Sequence, residues 1–292
     1  MKTEPTNLRM ERNFARDTHI FRAPKQGIKK QCEYTHTGQP VQPAVVWTWG
    51  DKRVFVLPLE VLEHSGIEKL HFVRDVLAVI TTLYIQQKNR KIITSLSHIC
   101  RMLRLSDKGE NLTQVLNALD FLSLYTIKRQ NVVLGFQKSG KVSWGEKIFG
   151  FLDGYTRVYA EGTLDGPERI LPPRRQRIEI QLSEEFAKLL DLRGPEGQTL
   201  LSELPVDLLV RTRKLNRRQI APAKNLLYYL SGRGGSAKLK KDTLVDILHI
   251  SANRPRRTQQ TLLRLLDAMT EKNIINYTCH KDTFDIRLVF PT

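Results

Sequence analysis

Two stretches of the chain, 147 residues apart, carry the same helical pattern. VLNALDFL (115–122) lies over LLRLLDAM (262–269), keeping an acid at Asp120 and Asp267 with leucines on either side. RMLRLS (101–106) likewise resembles DILHIS (246–251) at an offset of 145. Each match is short and leucine-rich, but strands, short helices and ribbons recur around them in the same order. A chain of 292 residues built this way has to fold as two copies of one unit, each of about 100–150 residues.

The pattern along the chain gives the unit its parts. Residues 1–43 mix Pro, Gly, Thr and Lys without a sustained period, and are expected to form a flexible basic arm. From residue 44, VVWTW and RVFVL have the β-branched and aromatic content of strands, and LEVLEH opens a short helix after Pro58. Leu70, Val73, Leu77, Ile80 and Tyr84 then recur at spacings of three and four, the apolar stripe of a long helix. IIT at 92–94 reads as a strand. Ser95 can cap LSHICRMLRL, and LTQVLNALDFLSL forms the next helix. TIKRQNVVLGFQ, KVSWGEKIFGFL and YTRVYAEG read as a ribbon whose apolar residues are assigned to the core. Pairing of that ribbon with a second subunit is the other reading.

Residues 161–177 (EGTLDGPERILPPRRQR) are taken as a linker. IEIQL followed by SEEFAKLL then matches the earlier VFVL followed by PLEVLE. Further helices are expected from Arg217 to Leu230, in TLVDILHI capped by Asp242, and in TQQTLLRLLDAMTEKN. NYTCH, KD and TFDIRLVF close the chain as a hairpin. The expected fold class is α+β and predominantly helical, with two tandem winged-helix domains, at 44–160 and 178–292, and β-ribbon wings.

In a winged helix the third helix lies in the DNA major groove and the hairpin grips the adjacent backbone. The second copy fits that use. With Leu262, Leu265, Leu266 and Met269 inward, Arg257, Gln260, Thr261 and Arg264 form an outward row, and Arg and Gln make two-bond contacts with guanine and adenine edges. The formal net charge is +17. Between Arg211 and Arg264 stand fourteen Lys or Arg against two acids, so most of the excess surrounds this helix. Arg213, Lys214, Arg217, Arg218, Lys238, Lys240, Lys241, Arg254, Arg256 and Lys281 are the candidate phosphate contacts, with Ser251 and Asn253 as short donors. The first copy is less basic. Its third helix offers Lys108, Asn111, Thr113, Gln114 and Asn117, suited to base contacts or to a protein interface.

Other chemistries find little support. Gly135 to Lys141 has the spacing of a P-loop, but Val142 stands where a magnesium-binding hydroxyl is required, and a strand is expected where a helix should follow. The seven histidines contain no HxH or HxxxH pair, and the three cysteines contain no CxxC, so neither a metal site nor a disulfide framework is encoded. The longest apolar stretch, 73–85, is too short and too polar to span a bilayer. No cofactor and no enzymatic activity are expected, and the N-terminus does not read as a secretory signal.

The two helix-to-ribbon units, SLSHICRMLRLSDKGENLTQVLNALDFLSLYTIKR and KKDTLVDILHISANRPRRTQQTLLRLLDAMTEKNIINYT, together resemble the plasmid replication initiators of the Rep family. The resemblance covers residues 45–290 and is one of architecture, with no invariant motif; the 1–43 arm and the long first ribbon depart from it. It implies that both domains bind repeated origin sequences, called iterons, with the C-terminal domain making the stronger base contacts. It also implies that the N-terminal domain can mediate homodimers, that dimers repress their own promoter, and that the host initiator and helicase are recruited without ATP hydrolysis by the chain itself. Plasmid copy control, and a bacterial cytoplasmic location with nucleoid or plasmid DNA, follow from the same resemblance. A tandem winged-helix transcriptional repressor shares every local feature. A nicking or nucleotide-driven replication enzyme rests on the P-loop-like turn alone.

Overall fold

The computed structural model describes residues 6–16, 29–49, 52–56, 70–136, 142–172, 174–192, 199–250 and 255–290. The chain opens with strand β1 (Asn7–Glu11) and a single helical turn, α1 (Arg12–Arg16). Strands β2 (Lys29–Tyr34), β3 (Pro40–Trp49) and β4 (Lys52–Val56) follow. The short helix expected at LEVLEH lies outside the described residues.

The first unit is built on α2 (Leu70–Gln87), which is buried on almost every side from Leu70 to Tyr84. Strand β5 (Lys91–Thr94) leads to Ser95, whose hydroxyl accepts from the His98 N–H at 3.2 Å and starts α3 (Leu96–Met102). A tight turn and α4 (Gly109–Leu124) come next. The chain then runs through the long ribbon β6 (Thr126–Phe136) and β7 (Val142–Gly150), and into β8 (Leu152–Val158). That β7 is a strand leaves no helix after the P-loop-like turn, whose residues 137–141 are not described. A small hairpin, β9 (Ala160–Thr163) and β10 (Gly166–Ile170), precedes β11 (Arg177–Leu182) and α5 (Glu184–Asp191).

The second unit starts at β12 (Leu201–Pro205), which runs straight into α6 (Val206–Thr212). Helix α7 (Arg217–Gly232), strand β13 (Ser236–Lys240), α8 (Lys241–Ile247) and α9 (Pro255–Glu271) follow, and the hairpin β14 (Ile275–His280) and β15 (Thr283–Leu288) ends it. Helix α8 begins after Lys240, so Asp242, expected as its cap, lies in the first turn.

The two halves share one topology. In each, a long helix, a strand, two helices and two more strands of the same sheet occur in that order, the first unit with β6–β7 and β9–β10 added between them, and the three strands form an antiparallel sheet with the last in the middle, β5-β11-β8 and β13-β15-β14. The internal fittings repeat as well. The Asp120 carboxylate accepts from the Tyr155 hydroxyl at 2.6 Å, and Asp267 accepts from Tyr277 at 2.5 Å, each tying the third helix to the next strand of the small sheet. Arg104 and His249 both adopt positive φ, 52° and 54°, at the end of the second helix. There the Leu105 N–H reaches the Cys100 carbonyl at 2.8 Å, and the Ile250 N–H reaches the Val245 carbonyl at 3.1 Å.

Three expectations are corrected. Strand β11, read as opening the second half, is the central strand of the first unit's sheet. Helix α5 follows it into the first unit, where the Phe186 ring meets Phe151 edge-to-face at 5.0 Å and Asp191 accepts from the Tyr84 hydroxyl at 2.7 Å. The alternation of IEIQL specifies a half-buried strand but carries no information on its partner. The supposed linker 161–177 therefore lies within the first unit, and much of it is the β9–β10 hairpin. In sequence, LSELPVDLLV, where β12 meets α6, also lies 147 residues from VFVLPLEVLE, whose residues 57–63 are outside the described ones.

The second correction concerns the N-terminal arm. Within residues 7–16 the chain is locked in place: Leu8 and Met10 are buried, β1 pairs with β12, and the Arg9 N–H donates to the Thr82 hydroxyl at 2.8 Å. Helix α1 sits against the end of α7, where a Cβ on Gly232 would come within 2.9 Å of the Arg16 Cγ. Two buried apolar residues in a five-residue strand are too short a pattern to stand out among Pro, Thr and Arg. The third correction is to the ribbon. Strands β6 and β7, read as one ribbon with YTRVYAEG, instead join β2, β3 and β4 in a five-stranded antiparallel sheet, while β8 pairs with β11, and the fold is mixed α and β.

One contiguous apolar cluster runs from Leu8 to Leu288 through both units. Between them lies a buried polar knot. The Lys224 ammonium is paired with Asp75, and the Tyr228 hydroxyl donates to the same carboxylate at 3.0 Å. Arg74 lies with its guanidinium 4.5 Å from the centre of the Tyr228 ring and donates to the carbonyls of Phe14 and Ala15. Burial pulls the Arg74 pKa down to about 10 and lowers that of Lys224.

Candidate nucleic-acid interface

Helix α9 divides into two faces. Pro255 stands at its first position, where a missing N–H costs nothing. Thr258, Leu262, Leu265, Leu266 and Met269 are buried against the unit, and this leaves Arg256, Arg257, Gln260, Thr261 and Arg264 exposed along the other side. Positions 257, 260, 261 and 264 recur every three or four residues and form one outward row two turns long. None of these five side chains makes an ion pair among the described residues. Their donors therefore face outward, the arrangement that reading base edges requires.

The neighbouring elements bring further cations to one end of this helix. Lys238 and Lys240 are exposed on β13, on either side of the buried Leu239. The Lys241 N–H donates to the Asp282 carbonyl at 2.9 Å, which sets the tip of the β14–β15 hairpin, with exposed Lys281, beside the start of α8. The Lys241 ammonium donates to the Gln259 side chain at 3.3 Å, linking that end of α8 to α9. Lys240, Lys241 and Lys281 thus gather beside the first turns of α9. Gln259 was not among the sequence candidates, although its place between the outward residues of one helix would have included it. Ser251, Asn253 and Arg254, candidates in the α8–α9 turn, lie outside the described residues.

The other candidates are used differently. Arg213 donates from Nη1 to the Leu103 carbonyl at 2.7 Å, and Arg104 pairs with Asp207, so both arginines bind one unit to the other. Lys214 is exposed in the turn before α7, and Arg217 and Arg218 are exposed on its first turn. In α4 the polar side chains are turned on their own helix or the turn before it: Asn111 donates to the Ser106 carbonyl and hydroxyl, both at 2.9 Å, Thr113 to the Gly109 carbonyl at 3.0 Å, and Gln114 to Glu110 at 3.0 Å. Lys108 is exposed and Asn117 half-buried. The outward face of α4 is therefore a quieter version of the outward face of α9.

Between α4 and α7 the two units leave a cleft of about 780 Å³. Asn111 and Gln114 line one side, and Arg213, Arg217 and Arg218 the other, with Lys224 at its floor. His71, at the start of α2, also reaches it. Sequence reasoning assigned the arginines to the second unit alone, because nothing in a local pattern shows that the start of α7 packs beside the third helix of the first.

Among the described residues no group of three or more His, Cys, Asp or Glu is placed to hold a metal ion. No helix of these residues is long and apolar enough to cross a membrane.

Comparison with known proteins finds a likeness in fold only. No family model matches the chain, and neither does any curated protein sequence. A solved structure of domains 2 and 3 of RctB, a selenomethionine derivative, is similar over 95% of this chain and 98% of that one, with a TM-score of 0.51 at 13% identity. A second structure of RctB domains 2–3 covers 94% of this chain and 97% of its own, with a TM-score of 0.46 and the same identity.

Proposed function

We propose that the chain is a sequence-specific duplex-DNA-binding protein that initiates replication, built of two winged helices that dock side by side on repeated origin sequences of a plasmid. The observation that carries this reading is the outward row of α9, Arg257, Gln260, Thr261 and Arg264, with Lys240, Lys241 and Lys281 gathered at its N-terminal end. A helix that buries one face and presents two-bond donors on the other, beside a hairpin with a cationic tip, matches how winged helices seat in a major groove and hold its backbone. The shared topology of the two halves supports a second, weaker reader in α4. The sequence resemblance to plasmid replication initiators, alongside a fold similar to that of domains 2 and 3 of RctB, favours replication over repression of transcription.

Selection of duplexes from a random pool by the whole chain tests the reading. The expected result is a preferred site of about two helical turns, since two readers on one face of the DNA are spaced by about 34 Å or a multiple of it. Recovery of no preferred sequence, with affinity set by salt alone, overturns it. The place of the site tests the role: direct repeats of it beside the gene support initiation, and a single palindrome at a promoter supports a repressor.

A further inference from the structure

The cleft between α4 and α7 has an unbalanced lining. None of the described residues that line it is an acid, although Arg213, Arg217, Arg218 and Lys224 all reach it. Of the carboxylates around it, Asp75 lies behind the floor and is already taken by Lys224 and Tyr228, and Glu110 accepts from Gln114. Arg213 is held by Leu103 through Nη1, while its Nη2 is buried and has no hydrogen-bond partner among the described residues. A buried guanidinium nitrogen left with an unused donor costs free energy unless something accepts from it. Arg217 and Arg218 stand on the first turn of a sixteen-residue helix, whose N-terminal end adds its own positive potential to theirs. Asn111 and Gln114 line the same space from the first unit.

We propose that this cleft is a phosphate seat serving the first unit. Arg213, Arg217 and Arg218, though carried by the second half of the chain, hold a phosphate group beside α4 and supply the cations that α4 lacks. The phosphate belongs to the backbone of the duplex on which α4 docks, or to a free nucleotide. The first source rests on the function proposed above.

Two measurements on the whole chain separate these cases. In the first, the affinity of R217Q/R218Q for the selected duplex is followed against salt. Each phosphate contact contributes about 0.9 to the slope of log affinity against log salt, so the double variant is expected to have a slope shallower by about 2. Interference by phosphate ethylation should disappear on the stretch of DNA beside the first unit, and R217K/R218K should restore most of the slope. In the second, calorimetric titration with ATP and with pyrophosphate is done without DNA. An unaltered salt slope, together with nucleotide or pyrophosphate binding that the double variant loses, supports the seat with a free nucleotide as its source. An unaltered slope with no such binding overturns the proposal. If the parent chain itself selects no duplex, the proposed function has failed, and the calorimetric titration alone decides whether the seat exists.

Discussion

The two units of this chain hold the same scaffold and expose different chemistry. Both order three strands around a central last strand, both lock the third helix to the sheet with an aspartate–tyrosine hydrogen bond, and both end the second helix on a residue with positive φ. Yet α9 presents arginine and glutamine outward, whereas α4 spends Asn111, Thr113 and Gln114 on itself and on the turn before it. The hairpins differ too. The second unit turns through two residues, Lys281 and Asp282, while the first inserts the β9–β10 hairpin with a fully exposed Leu164 at its tip. Packing fixes the inner positions in both copies, while the outer positions are free to differ, and under the proposed function that difference would give one unit a strong grip and the other a lighter one.

The comparison depends on the two units being held in register, and the largest effect is expected where that is broken. Asp75→Ala leaves Lys224 buried without its counter-charge and should cost about 3–5 kcal/mol of stability in denaturant unfolding. Asp75→Leu combined with Lys224→Met, which removes both charges, should recover most of that loss. A small effect of Asp75→Ala would mean that the units are only loosely joined.

The next contrast is between the readers. Arg257→Ala or Arg264→Ala should weaken binding to the selected duplex by about 1–3 kcal/mol while leaving random duplex nearly unaffected. Gln114→Ala, whose side chain is already bonded to Glu110, should cost less than either. Equal losses on selected and random DNA would make the arginines phosphate contacts, and a larger loss at Gln114 would reverse the ranking of the units.

The smallest effects are expected at the shared locks. Tyr155→Phe and Tyr277→Phe should each cost about 0.5–1.5 kcal/mol, with the larger loss at the more buried Tyr155. Burial and the neighbouring aspartates raise both phenols, Tyr277 to about 12 and Tyr155 further. A phenol whose folded pKa lies above its unfolded value of about 10 contributes stability that is complete below pH 10 and is lost as pH rises through the folded value. Alkaline unfolding followed by far-ultraviolet circular dichroism should therefore show a shallower decline between pH 10 and 12 in Tyr277→Phe. An unchanged decline would show that the lock does not form in solution.

Much of this was legible in the sequence because it is written in local periods. The two faces of α9 follow from leucines at three- and four-residue spacing, Ser95 announces the start of α3, and the Asp120 and Asp267 positions proved to be the sites of the two locks. What the sequence concealed is non-local. A period-two strand such as β11 does not name its partner, so the end of the first unit was placed too early. Leu8 and Met10 are too few to reveal β1 amid polar neighbours. The pairing of Asp75 with Lys224 joins residues 149 apart, and the cleft arginines acquire their meaning only from the α4 side chains packed opposite.

The central claim is that both units read one duplex, the second more firmly than the first. Hydroxyl-radical footprinting of the whole chain on its selected site tests this most directly. The account expects two protected patches on one face of the DNA, about one helical turn apart or a multiple of it, with the patch assigned to α9 persisting at salt concentrations that erase the other. A single patch of one half-site that disappears in Arg264→Ala would contradict it, leaving the first unit without a role on DNA.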